Sequence, residues 1–231
     1  MKLIYAADDE KNIRTLIQSF LEKEGYLVEV FENGDQLYEA FTQKQADLVI
    51  LDIMMPGSDG FAICSKLRQI SHVPIIMLTA RDGEGDYITG ITLGSDDYFT
   101  KPFRPLKLVM RVKAIFRRID MEKDNPQAEQ LGFGDIQLSP KQRTVQIQGQ
   151  EVPLTLTEFN LLTFLLENKH RAVSREELLN KIWGFDHTVE SRVTDDTVKR
   201  LRKKLAEAYS SVQIKTVWGF GFKLKTEEEA P

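Results

Sequence analysis

Short apolar runs recur through the first 120 residues, LIYAA at 3–7, LVIL at 48–51 and IIML at 75–78 among them. Segments of helical period separate them. The spacing predicts strands near 3–7, 26–31, 47–51, 74–78 and 97–99, and helices near 11–23, 34–43, 60–70, 84–93 and 105–118. In the first of these helices Ile13, Leu16, Ile17, Phe20 and Leu21 fall at i, i+3, i+4, i+7 and i+8, one apolar stripe. Such alternation builds a parallel sheet covered by helices on both faces, and runs apolar on both sides suit its central strands. Five strands favour the doubly wound α/β order 2-1-3-4-5, whose crevice lies beyond the carboxyl ends of strands 1 and 3.

The residues at those ends therefore carry weight. Asp8 and Asp9 follow strand 1, Asp52 follows strand 3, Thr79 strand 4, and Lys101 strand 5. Singly, Asp8, Asp9 and Thr79 read equally well as helix caps, and Lys101 as a solvated charge. Three carboxylates at one crevice repel one another and call for a cation. An all-oxygen set of this kind suits Mg²⁺ together with a phosphate. In that setting Asp52 is the nucleophile toward a phosphoryl donor, Asp9 holds the metal with help from Asp8, and the Met54 carbonyl adds a main-chain oxygen. Thr79 and Lys101 take the remaining phosphoryl oxygens. A haloacid-dehalogenase-type phosphatase wants an acid two residues after its nucleophile, where Met54 stands. A flavodoxin-like cofactor binder wants a Gly/Ser/Thr loop after strand 1, where Asp8, Asp9 and Glu10 stand.

The series DDE, LDIMMPGSDG, MLTAR and DDYFTKPF resembles the receiver domain of two-component response regulators over residues 1–120. That resemblance implies phosphorylation of Asp52 by a sensor histidine kinase, dependence on Mg²⁺, and a cis Lys101–Pro102 peptide. It also implies a switch in which Thr79 moves toward the phosphate and Tyr98 turns inward, a two-state element biased by a new charge. Such a phosphoacceptor promotes its own modification and is not a metabolic enzyme.

Composition sets the wider limits. With 42% hydrophobic and 29% charged residues the 231-residue chain is a globular protein with room for two domains. No apolar run approaches the ~18 residues that span a bilayer. The first strand leads into three acids rather than a cleavage site, so a cytoplasmic protein without a membrane role is expected. The single cysteine, Cys64, excludes an internal disulfide and a cysteine-based zinc site, and reads as a small core residue. Residues 131–226 hold 15 basic against 11 acidic groups, room for a polyanion-binding face.

Residues 121–130 lack apolar periodicity, contain Asn-Pro and read as a linker, and 227–231 form an acidic tail. Between them, short strand-like pieces precede helices expected at Thr157–Asn168, Ser174–Trp183 and Ser191–Ala208. Ser174 and Glu177 fit a capping box; Thr157, with Asn160 three residues on, fits it poorly. The last helix gathers Arg192, Lys199, Arg200, Arg202, Lys203 and Lys204 opposite a stripe of Val193, Val198, Leu201 and Leu205. A hairpin, IKTVWGFGFKL, follows. A basic helix is commonly just a solvated face, but a helix-turn-helix with a wing sets it in the major groove of double-stranded DNA.

LTLTEFNLLTFLLENK, SREELLNKIWG, DTVKRLRKKL and IKTVWGFGFK resemble the α+β winged-helix domain of the OmpR/PhoB family over residues 131–226. By position the resemblance sets Arg192, Thr197, Lys199 and Arg200 toward DNA, Arg200 as base reader and Arg202 on phosphate, with Trp183 and Thr216 on the backbone. It implies binding to promoter DNA, with RNA polymerase a further partner, and homodimerisation on phosphorylation. The dimer face would comprise Ile88, Ile91, Asp97, Met110 and Arg111. Of the family's three charge pairs only Asp97 with Arg111 stands intact, since Tyr87 faces Lys107 and Thr92 faces Lys113. The expected function is a response regulator that Asp52 phosphorylation switches; the alternative is a constitutive DNA-binding regulator whose receiver serves as an interaction platform.

Overall fold

Every residue of LIYAA, LVILD and IIMLT is buried, as strands covered on both faces must be. They are β1 (Leu3–Ala7), β3 (Leu48–Asp52) and β4 (Ile75–Thr79), flanked by β2 (Leu27–Phe31) and β5 (Asp97–Thr100) in an all-parallel sheet ordered β2-β1-β3-β4-β5. The computed structural model describes residues 1–79, 94–123, 130–183 and 191–226, without the side chains of 118, 121–123, 191 and 192. Two compact units divide the chain, Met1–Phe116 and Arg117–Pro231.

Register brings the polar strand ends to one edge of the sheet. Ala7 pairs with Leu51, Asp52 with Leu78, and Thr79 with Thr100, so Asp8, Asp52, Thr79 and Lys101 follow or end adjacent strands. The sheet is covered by α1 (Lys11–Glu22), α2 (Gly34–Gln43), α3 (Gly60–Ile70) and α4 (Pro105–Lys123). Tyr5, Leu37, Phe41, Ile63, Leu67 and Met77 anchor one core cluster, and Cys64 is buried within it. In α1 the apolar stripe covers only part of the buried sector, because Arg14 is buried beside it. The helix expected near 84–93 lies outside the described residues. α4 continues to Lys123, so the first three residues of the expected linker are helical.

The second unit opens with an antiparallel sheet ordered β6 (Leu131–Phe133), β7 (Ile136–Ser139), β8 (Thr144–Ile147) and β9 (Gln150–Glu151). Three helices follow, α5 (Leu156–Glu167), α6 (Arg175–Ile182) and α7 (Ser191–Glu207). The reciprocal capping box of Ser174 and Glu177 starts α6. That of α5 is Thr155 with Glu158, two residues before the Thr157 pairing read from the sequence; Thr155 has the acid three residues on that Thr157 lacks. The wing is β11 (Val212–Val217) with β12 (Gly221–Thr226), to which β10 (Val173–Ser174) adds an unforeseen third strand. Gly221 allows that pairing, since a Cβ there would overlap the Val173 carbonyl.

Candidate functional site

Asp8, Asp9 and Asp52 each place a carboxylate oxygen within 4.8 Å of the others, and Asp8 and Asp52 are buried. Lys101 Nζ reaches into the cluster, 2.8 Å from Asp8 Oδ2, 3.1 Å from Asp52 Oδ1 and 3.5 Å from Glu10 Oε1. One ammonium against three carboxylates leaves negative charge in excess. Burial raises the Asp52 pKa to about 6; Lys101 opposes the rise while Asp8 and Asp9 add to it. Burial likewise raises the Asp8 pKa, against the pull of Lys101. For Lys101 burial works to lower the pKa, but Asp8 and Asp52 outweigh it and keep it raised.

Several local devices hold this arrangement. Lys101 N donates to Thr79 O at 2.5 Å, and the Lys101–Pro102 peptide is cis. Thr79 is fully buried at the end of β4, and Tyr98 is buried on β5. Gly60 packs against the strand end so closely that a Cβ would overlap the Asp52 carbonyl oxygen, which is why the PGSDG turn ends on glycine. Met54 and Asp9 line the same open depression beside the strand end. Arg14 went unremarked in the sequence, yet its Nη1 donates to the carbonyls of both Asp8 (2.8 Å) and Asp9 (2.9 Å) while Nη2 meets Glu32 at 2.9 Å. With those carbonyls turned to Arg14, side-chain oxygens are what the Asp8–Asp9 pair offers the crevice. An oxygen-only donor set with surplus negative charge fits Mg²⁺.

Family models match both halves of the chain: a response regulator receiver domain over residues 4–113 and the C-terminal domain of transcriptional regulatory proteins over residues 149–224. The chain is 42% identical over 222 residues to the transcriptional regulatory protein YclJ of Bacillus subtilis, covering 95% of this chain and 97% of that one. It is 38% identical to ResD of the same organism, covering 98% and 97%. This chain is a response regulator of the OmpR/PhoB type. Among solved structures, the response regulator DrrB of Thermotoga maritima shares 32% identity at a TM-score of 0.51, covering 97% of this chain and 99% of that one. A RitR mutant matches the fold at a TM-score of 0.80 and 24% identity, covering 98% and 100%.

As a response regulator the chain carries a winged-helix DNA-binding domain, and several residues expected at its interface are buried or paired within the chain. Thr197 is fully buried, its hydroxyl on the Val193 carbonyl at 2.8 Å; it faces the core and not DNA, because the apolar sector of α7 is wider than the Val/Leu stripe. Trp183, expected on the DNA backbone, is only 3% exposed. The Arg200 side chain is 12% exposed and turned toward the buried Glu158, 3.8 Å away, which also binds Lys204 at 2.7 Å. Burial works to raise the Glu158 pKa, but Arg200 and Lys204 outweigh it and hold it low. In this structure Arg200, expected as base reader, is directed to Glu158.

Arg202, expected on phosphate, spans α7 and the wing: Nε donates to Ile214 O and Nη2 to Thr216 Oγ1, both at 2.8 Å. Thr216 Oγ1 is thus an acceptor for Arg202, and a hydroxyl that accepts keeps its own donor. Lys199 is exposed, and so is Lys203, which the sequence did not single out as a contact. The side chain of Arg192 lies outside the described residues.

On the receiver, Arg111 Nε meets Asp97 Oδ2 at 2.5 Å within the chain, where the resemblance set this pair between subunits. Lys113 pairs with Glu24 at 2.5 Å. Met110 is exposed as expected, and Leu106, one turn away, adds a second exposed apolar side chain that the sequence reading missed. Lys107 is exposed on the same helix. Tyr87, Ile88, Ile91 and Thr92 lie outside the described residues. Among the described residues no helix is long and apolar enough to cross a membrane.

Proposed function

We propose that Asp52 accepts a phosphoryl group from a sensor histidine kinase and that this modification controls self-association and promoter binding. What supports it is the gathering of Asp8, Asp9, Asp52 and Lys101 at one sheet edge. The Asp52 carboxylate attacks phosphorus, the P–N bond to the kinase histidine breaks, and the departing imidazole takes up a proton. Lys101 and the Thr79 hydroxyl bind the transferred oxygens. Asp8, Asp9, Asp52 and the Met54 carbonyl would hold Mg²⁺, which when bound offsets charge on the phosphoryl oxygens. DNA contact falls to the exposed Lys199 and Lys203, to Arg192, and to the wing. Acetyl phosphate with Mg²⁺ should add one phosphoryl group to the wild-type chain and none to Asp52→Ala, and should tighten binding to selected duplex DNA in the wild type alone.

The intrachain closure of Asp97 on Arg111 favours a second reading, a constitutive DNA-binding regulator whose receiver is an interaction platform. Equal molecular size and equal DNA affinity with and without acetyl phosphate would choose it.

A further inference from the structure

The wing pairs two strands that carry no acid between Val212 and Thr226, and it places Lys215 directly opposite Lys223. Like charges facing across an antiparallel pair repel, which suits a surface that meets a polyanion. At its tip Val217–Phe220 form a hydrogen-bonded turn, Phe220 N to Val217 O at 3.0 Å, with Gly219 at φ +71° in the third position. The turn's backbone is fixed from several directions. Arg175 N donates to Phe220 O at 3.2 Å, Val173 crowds Gly221, and Arg202 grips Ile214 and Thr216. Phe222 anchors the base, with Arg175 and Arg202 guanidinium groups 4.7 and 5.7 Å from its ring centre. On this fixed turn Trp218 is 92% exposed, the most exposed large apolar side chain among the described residues.

We propose that Trp218 is an apolar wedge that enters the minor groove beside the α7 contact and bends the duplex. The inference rests on the DNA-binding reading of this domain. A wedge works by partly unstacking a base step, and so selects flexible steps such as TA and CA/TG. The lysines behind it hold the flanking phosphates. Trp218 thereby contributes specificity through deformability rather than through hydrogen bonds.

The chain has only two tryptophans, Trp183 buried and Trp218 exposed, so the emission difference between wild type and Trp218→Phe isolates Trp218. The probe is a duplex enriched from a random library by the full chain treated with acetyl phosphate and Mg²⁺. Wild type should show Trp218 emission shifted to shorter wavelength or quenched on binding, together with a bend seen by end-to-end energy transfer. Trp218→Ala should bind about tenfold more weakly and lose the bend, and Trp218→Arg should bind with a changed preference toward narrow A·T grooves. If wild type binds and Lys199→Ala binds less, but Trp218 emission is unchanged and Trp218→Ala binds and bends equally, the wedge is overturned while the domain's function stands. If wild type enriches no duplex, the DNA reading itself fails. Emission that changes with protein concentration alone assigns Trp218 to self-association and overturns the wedge.

Discussion

Arg111 closes on Asp97 inside a single chain, N to O 2.5 Å, with side chains 8% and 4% exposed. Removing one partner of such a pair leaves a buried charge uncompensated. Arg111→Ala should destabilise the receiver by about 3 kcal/mol, read as a lower urea midpoint. Asp97→Asn added to Arg111→Ala should recover part of the loss; no recovery would mean the pair is not the source.

The raised pKa of Asp52 makes a signed statement about stability. An unfolded aspartate titrates near ~3.9, whereas the folded group titrates at about 6. The folded state thus binds the proton more tightly, and the associated stability is fully present below pH ~4 and lost as pH rises through 6. Asp52→Asn should stabilise the metal-free protein by about 1–3 kcal/mol at pH 7.5 and by much less at pH 4. A gain equal at both pH values would contradict the burial assignment.

Glu158 has the opposite sign. Its pKa is held below the usual range, so its contribution is present above the unfolded value near ~4.3 and lost as pH falls through the folded one. The stability of the second domain should fall below pH ~4, and Glu158→Gln should flatten that dependence while lowering stability at pH 7. An unchanged acid limb in the variant would sink the assignment.

Arg14 should act on Mg²⁺ binding through the loop it orients. Arg14→Ala removes charged hydrogen bonds worth about 1.5–3 kcal/mol each and should weaken Mg²⁺ binding measured by calorimetry. Arg14→Lys should fail to rescue it, because an ammonium lacks the planar fork that spans two carbonyls and Glu32. Full rescue by lysine would reduce Arg14 to a nearby charge.

The receiver sheet and its acid cluster were legible because strand order follows from alternation, and order alone brings residues 8, 52, 79 and 101 together. Arg14 was not legible, since its acceptors are main-chain oxygens whose direction depends on the loop path. For α7, periodicity marked Val193, Val198, Leu201 and Leu205 as one face but gave no measure of its width, so Thr197 was set outside. The approach of Arg200 to Glu158 was not legible for a different reason: the carboxylate sits on another helix, and one sequence does not reveal that pairing. Asp97 and Arg111 were seen as complementary, but complementarity does not say whether a pair closes within a chain or between two.

Arg202 has a consequence for the operator. Because one guanidinium ties α7 to both Ile214 and Thr216, helix and wing form a calliper of fixed span, which on the proposed binding mode would read two grooves in a set phase. On the proposed binding mode, a single base pair inserted between the step under the wing and the bases under α7 would displace the tip by about a tenth of a helical turn. On the proposed binding mode, substitutions at Lys199 or Trp218 would change which bases are preferred and leave the spacing between the two contacts as it is.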